Sequence, residues 1–268
     1  MEKSKEDFSQ EQHLNVGLHR SYRKLQYGSV SGRMISHFIV FAILAVLTFI
    51  FLGKLSYLYT GLAAKLVNGR LADLNMESIR LFYSNVWILN AQGSYPSQSQ
   101  LFIVALVSII LWIVMLVVKK IPLPIRLGIK VLGVINLVGC IYFWLWADKF
   151  PYILRDMSEL YLSAEIGMWF AIPLMLLFAL LPIPVPLVYK IMLVIFTLIY
   201  TFVFGFIRYA LFVMIIAKYS YLWMALLYFV FGAFFDFAFM MAFYSYFISL
   251  AAPGIFRKER IWRWLFSS

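Results

Sequence analysis

A chain of 268 residues that is 64% hydrophobic and only 13% charged does not have the make-up of a water-soluble domain. Its net charge of +11 is concentrated at the edges of apolar runs, where anionic lipid headgroups attract cations, so nucleic acid is not the expected partner. The single cysteine, Cys140, has no second thiol to pair with and lies in an apolar run, which leaves redox chemistry without a site.

Residues 1–33 mix acids and bases and lack a short apolar core ending in a small-residue cleavage site, so they do not read as a cleaved signal. Leu14, Leu18, Tyr22 and Leu25 fall near one face of a helix that carries Arg20, Arg23 and Lys24 on another. That pattern predicts an amphipathic surface helix. His13 and His19 do not share a helix face at metal-ligand spacing, and no metal or other cofactor is expected.

From Met34 onward, apolar runs alternate with short connectors. A hydrocarbon core of about 30 Å takes roughly 20 apolar residues to cross as a helix, and only a helix or a closed barrel satisfies its own backbone there. Six spans are predicted: Met34–Tyr57, Leu101–Val118, Leu127–Ala147, Leu160–Leu181, Val185–Ala217 and Tyr221–Ala252. The fold class is all-α, a polytopic membrane helical bundle occupying residues 34–252. Lys119-Lys120-Ile121-Pro122-Leu123-Pro124 and Pro182-Ile183-Pro184-Val185-Pro186 are proline breaks that suit tight hairpins. Residues 187–252 are apolar almost without pause, and only Lys218-Tyr219-Ser220-Tyr221 offers a turn. Two long tilted helices are expected there.

Residues 60–100 are the one long polar stretch between spans. Asp73 or Asn75 can cap a helix whose apolar stripe is Met76, Ile79, Phe82 or Tyr83, Val86 and Leu89. This predicts a helix lying flat over the outer mouth of the bundle, followed by a flexible link at residues 93–100.

Orientation follows from the distribution of Lys and Arg. Fifteen of them fall in residues 1–33, the second connector, Lys190 and the tail, and seven on the opposite side. Both termini are therefore expected in the cytoplasm. The tail, residues 253–268, interleaves Arg257, Lys258, Arg260 and Arg263 with Trp262 and Trp264. Indole rings favour the headgroup level, so the tail reads as an interfacial anchor; docking of a cytoplasmic partner is the alternative.

Ionisable groups inside spans are costly and face the bundle interior or a wet cavity. Three define a candidate intramembrane cluster: Glu165 opening the fourth span, Arg208 roughly 12 Å below the outer end of the fifth, and Asp236 midway along the sixth. An ion pair or triad is the expected way to hold such an arginine. It can serve packing alone, or form a polar cavity for an anionic headgroup or a peptide carboxylate. Lys130 is expected to snorkel to the edge, His37 to sit at the interface, and Gly167, Gly205 and Gly232 to let helices approach closely.

Ala164-Glu165-Ile166-Gly167-Met168, then Gly205-Phe206-Ile207-Arg208-Tyr209, then Phe234-Phe235-Asp236-Phe237 resembles the core of exosortases and archaeosortases. In those transpeptidase-like membrane enzymes a Cys opens one span, an Arg sits late in the next and a His lies in the one after. Here Glu165 stands at the Cys position and Asp236 at the His position; Gly205 stands where Asn is common, and only the arginine is kept. A thiolate and its base must meet for nucleophilic catalysis, so no catalytic residue is assigned. The resemblance implies a non-catalytic subunit of an envelope-assembly pathway, either exopolysaccharide export or protein sorting, in a bacterial inner membrane. It would hold a peptide or a lipid-linked group, with lipids and other envelope proteins as partners. The alternatives are an enzyme or carrier using Arg208 as an anion clamp, or a small transporter or channel subunit, which the absence of an internal repeat weakens.

Overall fold

The computed structural model describes residues 30–256, apart from 72, 82, 83, 119, 120, 182 and 184. The elements are α1 (Val30–Val67), β1 (Asn75–Leu81), β2 (Ser84–Asn90), α2 (Gln98–Val117), α3 (Leu123–Trp146), α4 (Leu154–Leu180), α5 (Leu187–Lys218), α6 (Met224–Phe231) and α7 (Ala233–Phe256). One 3-10 turn, Ala147–Lys149, follows α3, and another, Tyr221–Trp223, leads into α6. Six of the helical stretches are long and apolar enough to cross a membrane, the last running through α6 and α7 as Tyr221–Leu250. The protein is thus an all-α, multi-pass integral membrane protein. Residues 1–29 and 257–268, on which the expected amphipathic N-terminal helix and the expected anchor of Arg257, Lys258, Arg260, Trp262, Arg263 and Trp264 fall, lie outside the described residues.

The core is built from α1, α4, α5 and α7, which pack on one another. Each buries a stripe at helical spacing. On α4 the stripe runs Leu154, Met157, Tyr161, Glu165, Trp169, Ile172 and Leu176. On α5 it runs Val194, Thr197, Thr201, Gly205, Arg208, Phe212 and Ile216. α2 packs mainly on α3, and that pair joins the core through α6 and the two 3-10 turns. Large apolar side chains such as Phe102, Ile113, Trp144 and Phe196 point outward, as lipid-facing surface requires.

Residues 75–90 do not form the flat helix expected of them. They make a two-stranded antiparallel hairpin with Asn75 opposite Asn90 and Leu81 opposite Ser84. The apolar stripe keeps a helical spacing, but Val86, Trp87 and Ile88 favour the strand, and Val86 and Ile88 alternate into the core. Phe82 and Tyr83 of the expected stripe lie outside the described residues.

A helix face built for the strand settles the choice further. Gly53, Ser56 and Thr60 lie along one side of α1, which reaches Val67 and so extends well beyond Tyr57. Thr60 Oγ1 donates to the Trp87 carbonyl at 2.6 Å, and Ser56 Oγ accepts from the Trp87 N–H at 3.4 Å. A Cβ at Gly53 would sit 3.2 Å from the Asn85 carbonyl oxygen, so glycine gives the strand room. From α5, the Tyr209 hydroxyl accepts from the Leu89 N–H at 2.8 Å. The outer edge of β2 is thereby closed by side chains instead of a third strand.

Two further expectations change. The last span breaks at Gly232, between α6 and α7, although its sequence offers no polar turn there. Lys190 is no edge-exposed lysine: it is 1% exposed, donates to the Leu180 carbonyl at 2.6 Å and lies 3.4 Å from Nε2 of the buried His37. A cation at the carboxyl end of α4 meets the partial negative charge of that helix terminus. Lys130 lies over the Trp112 ring, 6.0 Å from its centre.

Thr60→Val should leave the Trp87 carbonyl without its donor and cost about 1–3 kcal/mol. Unfolding in detergent should show the loss, and amide exchange should rise along Ser84–Asn90 before it rises in α4.

Candidate functional site: a buried arginine between two carboxylates

Three helices deliver the charges. Tyr161 and Glu165 stand one turn apart on α4, Gly205 and Arg208 share a face of α5, and Asp236 lies in the first turn of α7. Arg208 NH2 donates to Glu165 Oε1 at 3.0 Å and to Asp236 Oδ2 at 2.6 Å. All three side chains are enclosed: Arg208 is 5% exposed, and the two acids 2% each.

The other two nitrogens of the guanidinium are engaged as well. Nε donates to the Tyr161 hydroxyl at 2.8 Å, and NH1 to the Gly232 carbonyl at 3.3 Å. The rings of Tyr161 and Phe204 lie 5.6 and 5.9 Å from Cζ, close enough for cation–π attraction. Glu165 Oε1 also accepts from Tyr59 of α1 at 3.0 Å. The Tyr161 hydroxyl in turn lies within donating distance of the Gly205 carbonyl at 3.4 Å and of Glu165 Oε1 at 3.5 Å. Every charged group in the cluster therefore has hydrogen-bonded company, the condition under which ions survive away from water.

Two glycines make this geometry possible. A Cβ on Gly205 would overlap Glu165 Oε1 and approach the Tyr59 hydroxyl at 2.8 Å, so glycine lets the carboxylate lie against the α5 backbone. At Gly232 a Cβ would overlap the Tyr228 carbonyl oxygen. The break there presents the Gly232 carbonyl to Arg208 and starts α7 so that Asp236 arrives one turn later. Gly167, by contrast, has open space around it and mediates no close approach.

The cluster sits deeper than a position at the mouth of the bundle. Glu165 is about 16 Å along α4 from Leu154, and Arg208 about 15 Å along α5 from Lys218. The expected fourth span starts six residues too late, which places Glu165 too near the surface. A stack of tyrosines fills the space between cluster and hairpin. Tyr161 and Tyr209 lie parallel, 5.2 Å apart and 3° from coplanar, and Tyr59 stacks against Tyr209 at 6.0 Å. Tyr209 then reaches the Leu89 amide of β2.

Tyr59, Tyr161 and Tyr209 are the site residues that sequence reasoning misses. The i, i+4 spacing of Tyr161 and Glu165 was a usable signal; nothing in the first span marks Tyr59 among so many aromatics. Among the described residues, no group of three or more His, Cys, Asp or Glu is arranged to hold a metal ion. No family model, curated protein or solved structure matches this chain.

Arg208→Gln should strand two buried carboxylates and cost about 3–5 kcal/mol, seen as reduced abundance and a lower unfolding temperature in detergent. Gly205→Ala should cost about 1–3 kcal/mol by overpacking against Glu165, and the simultaneous change Glu165→Ala should recover part of the overpacking term in a double-mutant cycle.

Proposed function

We propose that this protein is a non-catalytic membrane scaffold subunit of an envelope-assembly pathway, with both termini in the cytoplasm and the β-hairpin on the outer side of a bacterial inner membrane. The observation that carries the reading is the engagement of four of the five Arg208 N–H donors within this chain. Its guanidinium donates to two carboxylates, a tyrosine and a backbone carbonyl, all from this chain. An anion clamp keeps donors free for its ligand, and a transport path keeps its charges wet. Here both acids and the arginine are enclosed.

Orientation rests on the excess of Lys and Arg at the end opposite the hairpin. The exosortase-like order of residues supports the pathway. Positions that carry Cys, Arg and His in those enzymes carry Glu165, Arg208 and Asp236 here, and the three converge on one point. A buried carboxyl group hydrogen-bonded to a guanidinium and a tyrosine is a poor nucleophile toward an amide. The reading is therefore of a sortase-like framework turned to holding helices and partners together.

The test uses the different behaviour of single and joint neutralisation. Arg208→Gln alone should lower abundance. The combination Arg208→Met, Glu165→Gln and Asp236→Asn removes all the charges at similar volume and should restore much of it, because replacing a whole buried ion cluster is often near neutral. The triple variant should support pathway output and recover membrane partners at wild-type levels per folded molecule. Normal accumulation with lost output would overturn the scaffold reading in favour of a working charged site.

A further inference from the structure

The two edges of the hairpin differ. Alternate residues of an antiparallel strand turn both N–H and C=O either toward the partner strand or away from it. Trp87 and Leu89 turn theirs away from β1, toward Thr60, Ser56 and Tyr209. Their register partners are Ser78 and Met76, and Arg80 faces Asn85 in the same series. Met76, Ser78 and Arg80 therefore direct their backbone N–H and C=O groups along the far edge of β1. Among the described residues, none of these groups takes part in a hydrogen bond. Ser78 and Arg80 are exposed.

Proteins normally blunt such an edge with a proline, a bulge or a covering element. β1 holds a regular seven-residue register, and among the described residues it has no proline, bulge or third strand along that edge. We propose that this edge accepts an extended segment of a partner polypeptide as a third strand, with an acidic side chain of that segment set against Arg80. The proposal rests on the scaffold reading and names the contact through which the scaffold holds its partner.

Backbone chemistry selects the occupant. A row of alternating donors and acceptors at strand spacing is matched by another extended chain and by no lipid or glycan of comparable regularity. Charge selects further. Glu77 is held by Arg155 at 3.4 Å and by the Asn90 amide at 2.7 Å, whereas Arg80 makes no ion pair among the described residues. A second copy of this chain fits poorly. Twofold pairing of β1 with its copy sets Glu77 against Ile79 when centred on Ser78, against Leu81 when centred on Ile79, and against a second carboxylate when centred on Glu77, so no register gives it a cation.

The experiment places a photoreactive amino acid at Met76 in the full-length protein and irradiates native membranes. A discrete adduct should form, persist with Ser78→Ala, and fall about tenfold with Ser78→Pro, which deletes an outward N–H and leaves the β1–β2 bonds in place. Arg80→Glu, which leaves the backbone alone, should weaken the adduct severalfold and decides the matter even if the proline variant does not accumulate. An adduct of twice this chain's mass, one indifferent to both Ser78→Pro and Arg80→Glu, or none at all would overturn the proposal. These variants do not touch the Arg208 cluster, and the triple-neutral variant does not touch the strand edge, so the two readings fail separately.

Discussion

A guanidinium held away from water sets the terms for this fold. Placing an arginine midway along a membrane helix costs about 2.5–3.5 kcal/mol even on the mildest insertion scales. The cost falls only if carboxylates, hydroxyls and carbonyls surround the cation in good geometry. Here that requirement fixes the relative rotation of α4, α5 and α7, because Glu165, Arg208 and Asp236 must face one another. It also bears on the shape of the last span, since the carbonyl Arg208 reaches belongs to Gly232, where the helix is interrupted. Between lipid-facing helices burial in oil gives no preference for one neighbour over another, so directional polar contacts carry more of the specificity.

The tyrosines extend that specificity to the membrane surface. Tyr161 shares its hydroxyl with Arg208 and its ring with Tyr209, and Tyr209 holds the backbone of β2. Tyr59 ties α1 to Glu165 from the other side. The same α1 contributes Ser56 and Thr60 to the strand. Charge cluster and hairpin are thus two ends of one packed unit, and neither is positioned by a flexible linker.

Much of this was legible in the residues. Long apolar runs announce spans because composition alone decides whether a helix can live in lipid. The three intramembrane charges stood out for the same reason, and their order on consecutive spans put them within reach of one another. What could not be read was geometry that depends on company. Met76, Ile79, Val86 and Leu89 keep a helical spacing, and it is the polar face of α1 that makes the strand the better answer. The break at Gly232 carries no proline or polar run to mark it. Glycine is needed there because the Tyr228 carbonyl lies where a side chain would go, and the Gly232 carbonyl serves both the Phe235 N–H at 2.9 Å and Arg208 at 3.3 Å. Lys190 and His37 looked like edge residues from their place in the chain, yet packing of α1 on α5 encloses them.

The order of the charges along the chain has a consequence for synthesis. A ribosome delivers Glu165 first, Arg208 second and Asp236 last. When the arginine-bearing segment leaves the insertion machinery, a carboxylate with a tyrosine one turn away is already in the bilayer to receive it. The segment with the cation therefore never has to cross hydrocarbon uncompensated. The final acid then arrives on the far side of the Gly232 corner and locks a pair that has already formed.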